Sequence, residues 1–305
     1  MSERLPSGVL SVEKGRGVTS FQVVAHLRRV LRAPRVGHGG TLDPDATGVL
    51  PILIGEATKL TPYLVDLDKE YVATVRLGIT TTTQDLSGAI VDTRPVPQFG
   101  AEVIEAALRR FVGTINQIPP MYSALRRGGR RLYELAREGQ SIDREPRSVR
   151  VDAIILERLE LPELDIRVRC GKGTYIRTLA ADLGEALSCG AALAGLVRTR
   201  VGPYTLDSAI SWEEVWNRPD ASRLWNRLFP SDSALASLPA VTLPAVGAAA
   251  FSQGQRVPSP AAQDGLVRVY GPSGSLLGIG MAHGAVVSPQ RVLHADPARP
   301  RVLPA

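Results

Sequence analysis

Apolar residues recur along this chain in two periods, one helical and one strand-like. Phe21, Val23, Val24, Leu27, Val30 and Leu31 fall at helical spacing, with Thr19 or Ser20 placed to cap the helix. Ala101 to Val112 repeats the pattern through Val103, Ile104, Ala107, Leu108 and Phe111. Gly8 to Val12 reads as a short strand, and the unbroken apolar run Val49 to Ile54 suits a buried one. Tyr71, Ala73, Val75 and Leu77 alternate with Val72, Thr74 and Arg76, the period of a strand with one buried face. Leu164, Ile166, Val168 and Cys170 alternate likewise; Gly171 to Gly173 then turns, and Thr174 is placed to cap a helix to about Leu187.

Strands and helices mixed without regular alternation predict an α+β fold with a mixed sheet, not a doubly wound one. The first domain is expected over residues 1–230. Ser233 to Gln255 carries no charge, but Pro239, Pro244, Gly247 and Gly254 interrupt it, which predicts a linker or short strands and not a membrane span. Beyond it, Leu266 to Tyr270, Leu276 to Met281 and Arg291 to Leu293 predict a small β-barrel over 238–305. A chain of 305 residues accommodates two such domains.

Composition narrows the partner. The formal charge is +6, and 32 of the 36 basic residues are arginines. The planar arginine fork suits phosphates and bases, although a GC-rich genome would also favour its codons. Position discriminates between these. The first 40 residues hold seven basic and two acidic residues, and Met121 to Arg150 holds eight arginines against four acids. Two cysteines, Cys170 and Cys189, without clustered histidines predict buried reduced thiols and no metal site. Met1 to Gly8 has no apolar run of signal-peptide type, so a cytoplasmic location is expected.

The densest special sequence is Gly37-His38-Gly39-Gly40-Thr41-Leu42-Asp43-Pro44-Asp45-Ala46-Thr47-Gly48. Its glycines permit close approach of a ligand, and Pro44 pushes Asp43 out of helical geometry. A carboxylate held there can serve as nucleophile, as general base, or simply as the acceptor of an Asx turn. Gly171-Lys172-Gly173-Thr174 lacks the spacing of a phosphate loop, which excludes a nucleotide site, although its helix start can face an RNA phosphate.

The Gly37 to Pro44 segment, with Ala46, Gly48 and Leu50 behind it, resembles the catalytic signature of the bacterial tRNA pseudouridine-55 synthases. Lys69-Glu70-Tyr71, Gln117-Ile118-Pro119-Pro120-Met121-Tyr122-Ser123-Ala124-Leu125 and Gly173-Thr174-Tyr175-Ile176-Arg177 are similar to further motifs of that family, in its order. The resemblance implies isomerisation of a T-loop uridine without cofactor or metal. It implies that Asp43 is the essential aspartate, Tyr71 the active-site tyrosine and Arg177 the arginine that pairs with the aspartate and keeps it ionised. His38 would fill the space left by extruded bases, Leu196 would pack on the uracil, and Tyr175 and Lys14 would contribute to binding, Lys14 as a structural or RNA-facing residue. The segment 117–147 would be an insertion over the T arm, with Arg126, Arg127, Arg130 and Arg131 meeting phosphates. The C-terminal strands resemble, more weakly, a PUA-like RNA-binding barrel that would touch the acceptor end. A monomer acting without guide RNA or membrane is expected.

Two departures stand out. The family has two arginines after the active-site leucine, where this chain has Val197 and then Arg198. It also has Asp-Lys-Pro where this chain has Glu13-Lys14-Gly15, a change expected to loosen that turn. Two other readings are a tRNA-binding folding chaperone with little catalysis and a guide-dependent homologue. An intact Asp43, Tyr71 and Arg177 speak against the first, and the long basic insertion against the second.

Overall fold

The computed structural model describes residues 5–123, 125–260 and 262–294. The chain begins β1 (Gly8–Lys14), α1 (Ser20–Val30), β2 (Val36–His38), β3 (Thr47–Ile54), α2 (Thr61–Asp66) and β4 (Lys69–Leu77). It continues β5 (Ile79–Thr81), β6 (Ile90–Thr93), α3 (Ala101–Arg109), β7 (Gly113–Gln117), β8 (Arg126–Arg127), β9 (Arg130–Arg131) and α4 (Leu132–Arg137). Next come β10 (Arg147–Glu160), β11 (Glu163–Cys170), α5 (Ile176–Ala186), β12 (Ala191–Val201), β13 (Tyr204–Thr205) and α6 (Ala221–Asn226). The last elements are β14 (Ala240–Thr242), α7 (Ala245–Ser252), β15 (Val257–Pro258), β16 (Gly265–Tyr270), β17 (Leu276–His283) and β18 (Val286–Val292). The α+β class expected from the patterning is the class observed.

Contacts divide the chain into two compact units. The first holds residues up to Pro44, Gly48–Asp66 and everything from Gly202 onward. In it β3 pairs antiparallel with β1, from Gly8 opposite Ile54 to Lys14 opposite Gly48, and also with β2. Thr19 caps α1 through a capping box with Gln22, as the spacing predicts. Val23, Val24, Leu27 and Leu31 pack on Leu10, Val12, Leu50, Ile52 and Ile54, joined by Ile210, Val215 and Leu224. Phe21 belongs to the same apolar series in sequence but is 73% exposed, because at about 100° per residue it falls off that stripe.

The same unit carries a five-stranded sheet in the order β14-β16-β17-β18-β15, a half-barrel with its own apolar cluster of Val241, Leu243, Phe251, Val267, Val269 and Val287 among others. One expectation fails here. The uncharged stretch is not only linker and strand, since Ala245 to Ser252 is helix α7. Its alanines are the strongest helix formers, and it buries Ala248 and Phe251 against the half-barrel.

The second unit comprises 45–47 and 67–201. Strands β12, β4, β11, β10 and β7 lie side by side in that order, every pair antiparallel. Helix α5 packs on β12 and β4, and α3 on β10. The basic segment contains the hairpin β8–β9, whose two turn residues, Gly128 and Gly129, have φ of 58° and 82°. Two consecutive positive φ values are what a type I′ two-residue hairpin turn requires. Ala124 of the motif lies outside the described residues.

Candidate functional site

In the first unit the loop before β3 is built around its aspartate. Ser20, the first residue of α1, donates its hydroxyl to the Leu42 carbonyl at 3.1 Å and accepts the Leu42 N–H at 2.9 Å. On the other side, the Pro44 carbonyl accepts from the Lys14 ammonium at 2.9 Å and from the Gly17 N–H at 2.9 Å. Asp43 is half-buried between two neighbours that are each held from a different element. His38 ends β2, and its Nδ1 accepts the Gly40 N–H at 3.3 Å. Gly39 packs closely, because a Cβ there would approach the Leu64 side chain to 3.1 Å, so that side chain would have to shift.

Lys14 is fully buried and donates also to the carbonyls of Gly15 and Val18, each at 2.8 Å. Its ammonium therefore ties the turn after β1 to the Asp43 loop. Gly15 does not leave the turn loose. A Cβ at Gly15 would meet the Trp212 indole at 2.7 Å, so the room a larger residue needs is filled by that ring. Trp212 in turn stacks on Trp216, and Trp216 on His26.

In the second unit Tyr71, Ala73, Val75 and Leu77 form the buried face of β4 beneath α5. Register places Arg198 of β12 opposite Tyr71, and Leu196 opposite Ala73, so Tyr71, Arg198 and Leu196 share this face. Arg177, in the first turn of α5, is 6% exposed. It donates to the Thr83 carbonyl at 3.0 Å and the Tyr122 carbonyl at 2.8 Å, and its Nε lies 3.8 Å from Asp85 Oδ2. Asp85 is itself fixed by a turn: its Oδ1 accepts from Thr83 Oγ1 at 2.6 Å and from the Ser87 N–H at 3.0 Å. Arg177 thus links the 82–88 turn to the Tyr122 segment.

Glu70 points to the opposite face and gathers Arg169, Arg167 and Thr199 at 2.7, 3.0 and 3.0 Å. Partial burial raises its pKa, but these donors outweigh it and hold the carboxyl below its usual range. Both cysteines are buried, and burial pushes the Cys170 thiol up to about 11.

Tyr175, not Thr174, occupies the N-cap position of α5, and its side chain makes no capping bond. The Thr174 hydroxyl donates to the Gly171 carbonyl at 3.2 Å and closes the preceding turn, while Gln117 accepts the Tyr175 N–H at 3.0 Å and donates to its carbonyl at 3.2 Å. A glutamine side chain thus meets that helix start. Arg130 is exposed and pairs with Glu138. For Arg126, Arg127 and Arg131 the structure describes the backbone only.

Sequence reading missed Ser20 as a support of the Asp43 loop, Asp85 as a partner of Arg177 and Gln117 as a support of the α5 start. A signal existed for Asp85: Thr83-Gln84-Asp85-Leu86-Ser87-Gly88 has the composition of an Asx turn. Ser20 and Gln117 carry none, since their partners lie 22 and 58 residues away.

Comparison with known proteins supplies the context. Residues 28–176 match the family model described as TruB family pseudouridylate synthase (N terminal domain). Residues 177–236 match a tRNA pseudouridylate synthase B C-terminal domain, and 239–293 a pseudouridine synthase II TruB C-terminal model. Proteins named tRNA pseudouridine synthase B are similar over nearly their whole length. That of Burkholderia mallei is 46% identical over 96% of this chain and 99% of its own, and that of Cupriavidus metallidurans 46% over 94% of each. Among solved structures, a Cbf5-Nop10-Gar1 complex matches at TM-score 0.71 with 27% identity, covering 93% of this chain and 84% of the other. An archaeal box H/ACA sRNP Nop10-Cbf5 complex matches at TM-score 0.71 with 25% identity, covering 97% and 89%.

Proposed function

The chain belongs to the TruB family of pseudouridylate synthases, and from that premise we propose that it converts uridine 55 in the T loop of tRNA to pseudouridine. The N1–C1′ bond breaks, the uracil turns, and a C5–C1′ bond forms; a proton leaves C5 and one is gained at N1. Nothing enters or leaves overall.

Asp43 supplies the carboxylate on which bond cleavage depends, and Arg177 pairs with it. Tyr71 stacks on the uracil and helps remove the C5 proton late in the reaction. Leu196 packs on the base and Tyr175 contributes to binding. The target base is extracted from a folded loop, at a cost of a few kcal/mol in stacking and pairing, and His38 fills the space that it leaves. Arg126, Arg127, Arg130 and Arg131 of the insertion meet T-arm phosphates, and the C-terminal half-barrel touches the acceptor end. Among the described residues no helix is long and apolar enough to cross a membrane.

The observation that carries this reading is the clamp on Asp43, whose two neighbours are each held by hydrogen bonds from other elements. A rigid carboxylate is what a preorganised reaction centre needs, whereas a simple Asx turn needs no such clamp. Stand-alone action without guide RNA is favoured over the guide-dependent reading by 46% identity along 96% of the chain to a tRNA pseudouridine synthase B, against 27% to a Cbf5 structure.

The test is to incubate unmodified tRNA with the protein alone and map pseudouridine by chemical labelling. One mass-neutral conversion in the T loop is expected. Binding of tRNA without conversion would support the chaperone reading instead.

A further inference from the structure

Among the described residues Arg198 is the largest fully buried side chain, at 1% exposure. Lys14, also fully buried, is surrounded by carbonyls, and Arg177 by two carbonyls and the Asp85 carboxylate. For Arg198 the phenol of Tyr71 is a hydrogen-bond partner. The two residues stand directly opposite each other in the antiparallel β12–β4 ladder.

The local strand geometry isolates this pair. Register shifts after Arg198, so that the next matched residues are Arg200 and Glu70 and Thr199 is the extra residue of a bulge. Thr199 donates to Glu70, on the face away from Tyr71. A bulge re-aims side chains, and here it leaves Arg198 facing Tyr71 while Thr199 serves the other side.

Burying a guanidinium in mid-strand is a poor way to gain stability, since an apolar residue of similar volume does as well or better. Elsewhere β12 does use apolar side chains, at Leu193, Leu196 and Val201. Desolvation pushes the Arg198 pKa down, and the neighbouring Tyr71 works against that shift. The arginine fork is planar and directional, so it fixes where a phenolic oxygen sits in a way that a flexible ammonium does not.

We propose that Arg198 is a positioning residue for Tyr71: from the adjacent strand its guanidinium holds the phenolic oxygen in the orientation in which Tyr71 meets the uracil. The proposal rests on the reading of Tyr71 as the active-site tyrosine. It also gives a use to the second basic position after the family leucine, the one that this chain retains.

The test compares Arg198→Lys, Arg198→Gln and Arg198→Met in single-turnover conversion of a T-arm transcript, alongside transcript binding and thermal melting. The expected maximal rate falls about tenfold for lysine, which keeps one donor, and about a hundredfold for methionine, with binding within about threefold of the parent. In a Tyr71→Phe background the same changes at 198 should alter the residual rate by less than about threefold, because the interaction they remove is already gone. If the methionine variant fails to fold, lysine against glutamine gives the same comparison. A parental rate in Arg198→Met overturns the proposal, as does a loss that is equally large in the Tyr71→Phe background. A parental protein that makes no pseudouridine overturns instead the reading on which the proposal rests.

Discussion

The Lys14 ammonium and the Pro44 carbonyl meet at 2.9 Å, one residue beyond Asp43. Lys14→Met would strip a donor from this carbonyl and from those of Gly15 and Val18. Leaving such buried groups unsatisfied costs about 3 kcal/mol. A chain of this size should then melt roughly 5 °C lower. Calorimetry checks it, and conversion should fall with the loosened loop; an unchanged melt would mean that the clamp carries no weight.

Asp43→Asn keeps the size of the side chain and removes its charge. Release of the C5 hydrogen from uridine should fall by more than about a thousandfold, while tRNA binding stays within about threefold. A C5-tritium release assay beside filter binding separates the two, and normal turnover would rule Asp43 out.

Asp85 divides its labour between two oxygens, one committed to its own turn and one facing Arg177 Nε at 3.8 Å. Asp85→Asn preserves the turn acceptor and removes the charge, so conversion should drop about tenfold or more with stability changed by less than about 1 kcal/mol. Asp85→Ala also opens the turn and should cost about 2 kcal/mol of stability besides. Equal melting temperatures for the two variants would show that the turn contributes nothing.

Gly15 and Trp212 predict a dependence between two substitutions. Gly15→Pro restores the residue type expected of the family but drives a Cβ into an indole at 2.7 Å. Alone it should destabilise by about 2 kcal/mol, and Trp212→Ala should relieve most of that clash. A urea-denaturation double-mutant cycle measures the coupling; simple additivity would contradict the packing argument.

Glu70 predicts an acid limit to stability. Burial raises its pKa, but Arg169, Thr199 and Arg167 lower it further, so the folded value lies below the ordinary 4.5. A carboxylate depressed in the folded state contributes stability above its unfolded pKa and loses it as pH falls through the folded one. Stability should therefore decline from about pH 4.5 downward, and Glu70→Gln should flatten that decline while lowering stability near pH 7. Parallel pH profiles for the two proteins would remove Glu70 from the account.

Much of this protein is written locally. The period of Val23, Val24, Leu27 and Leu31, the Thr19 cap, the alternation of β4 and β11, and the glycine loop around Asp43 all follow from spacing and residue type, because backbone geometry and the burial of one face act over a few residues. The family motifs also lie in short contiguous runs and need no fold to be read. What the tertiary structure alone decides is long-range. Ser20 meets Leu42 across 22 residues, Lys14 meets Pro44 across 30, Arg177 meets Thr83 across 94, and Arg198 faces Tyr71 only through the register of two distant strands. Helix α7 escapes a pattern-based reading because its alanines carry no periodic contrast, and its burial against the half-barrel defines its apolar face. By itself the sequence determined which residues could do chemistry. Packing and strand register decided which groups hold them in place, since those contacts exist only once the chain has closed on itself.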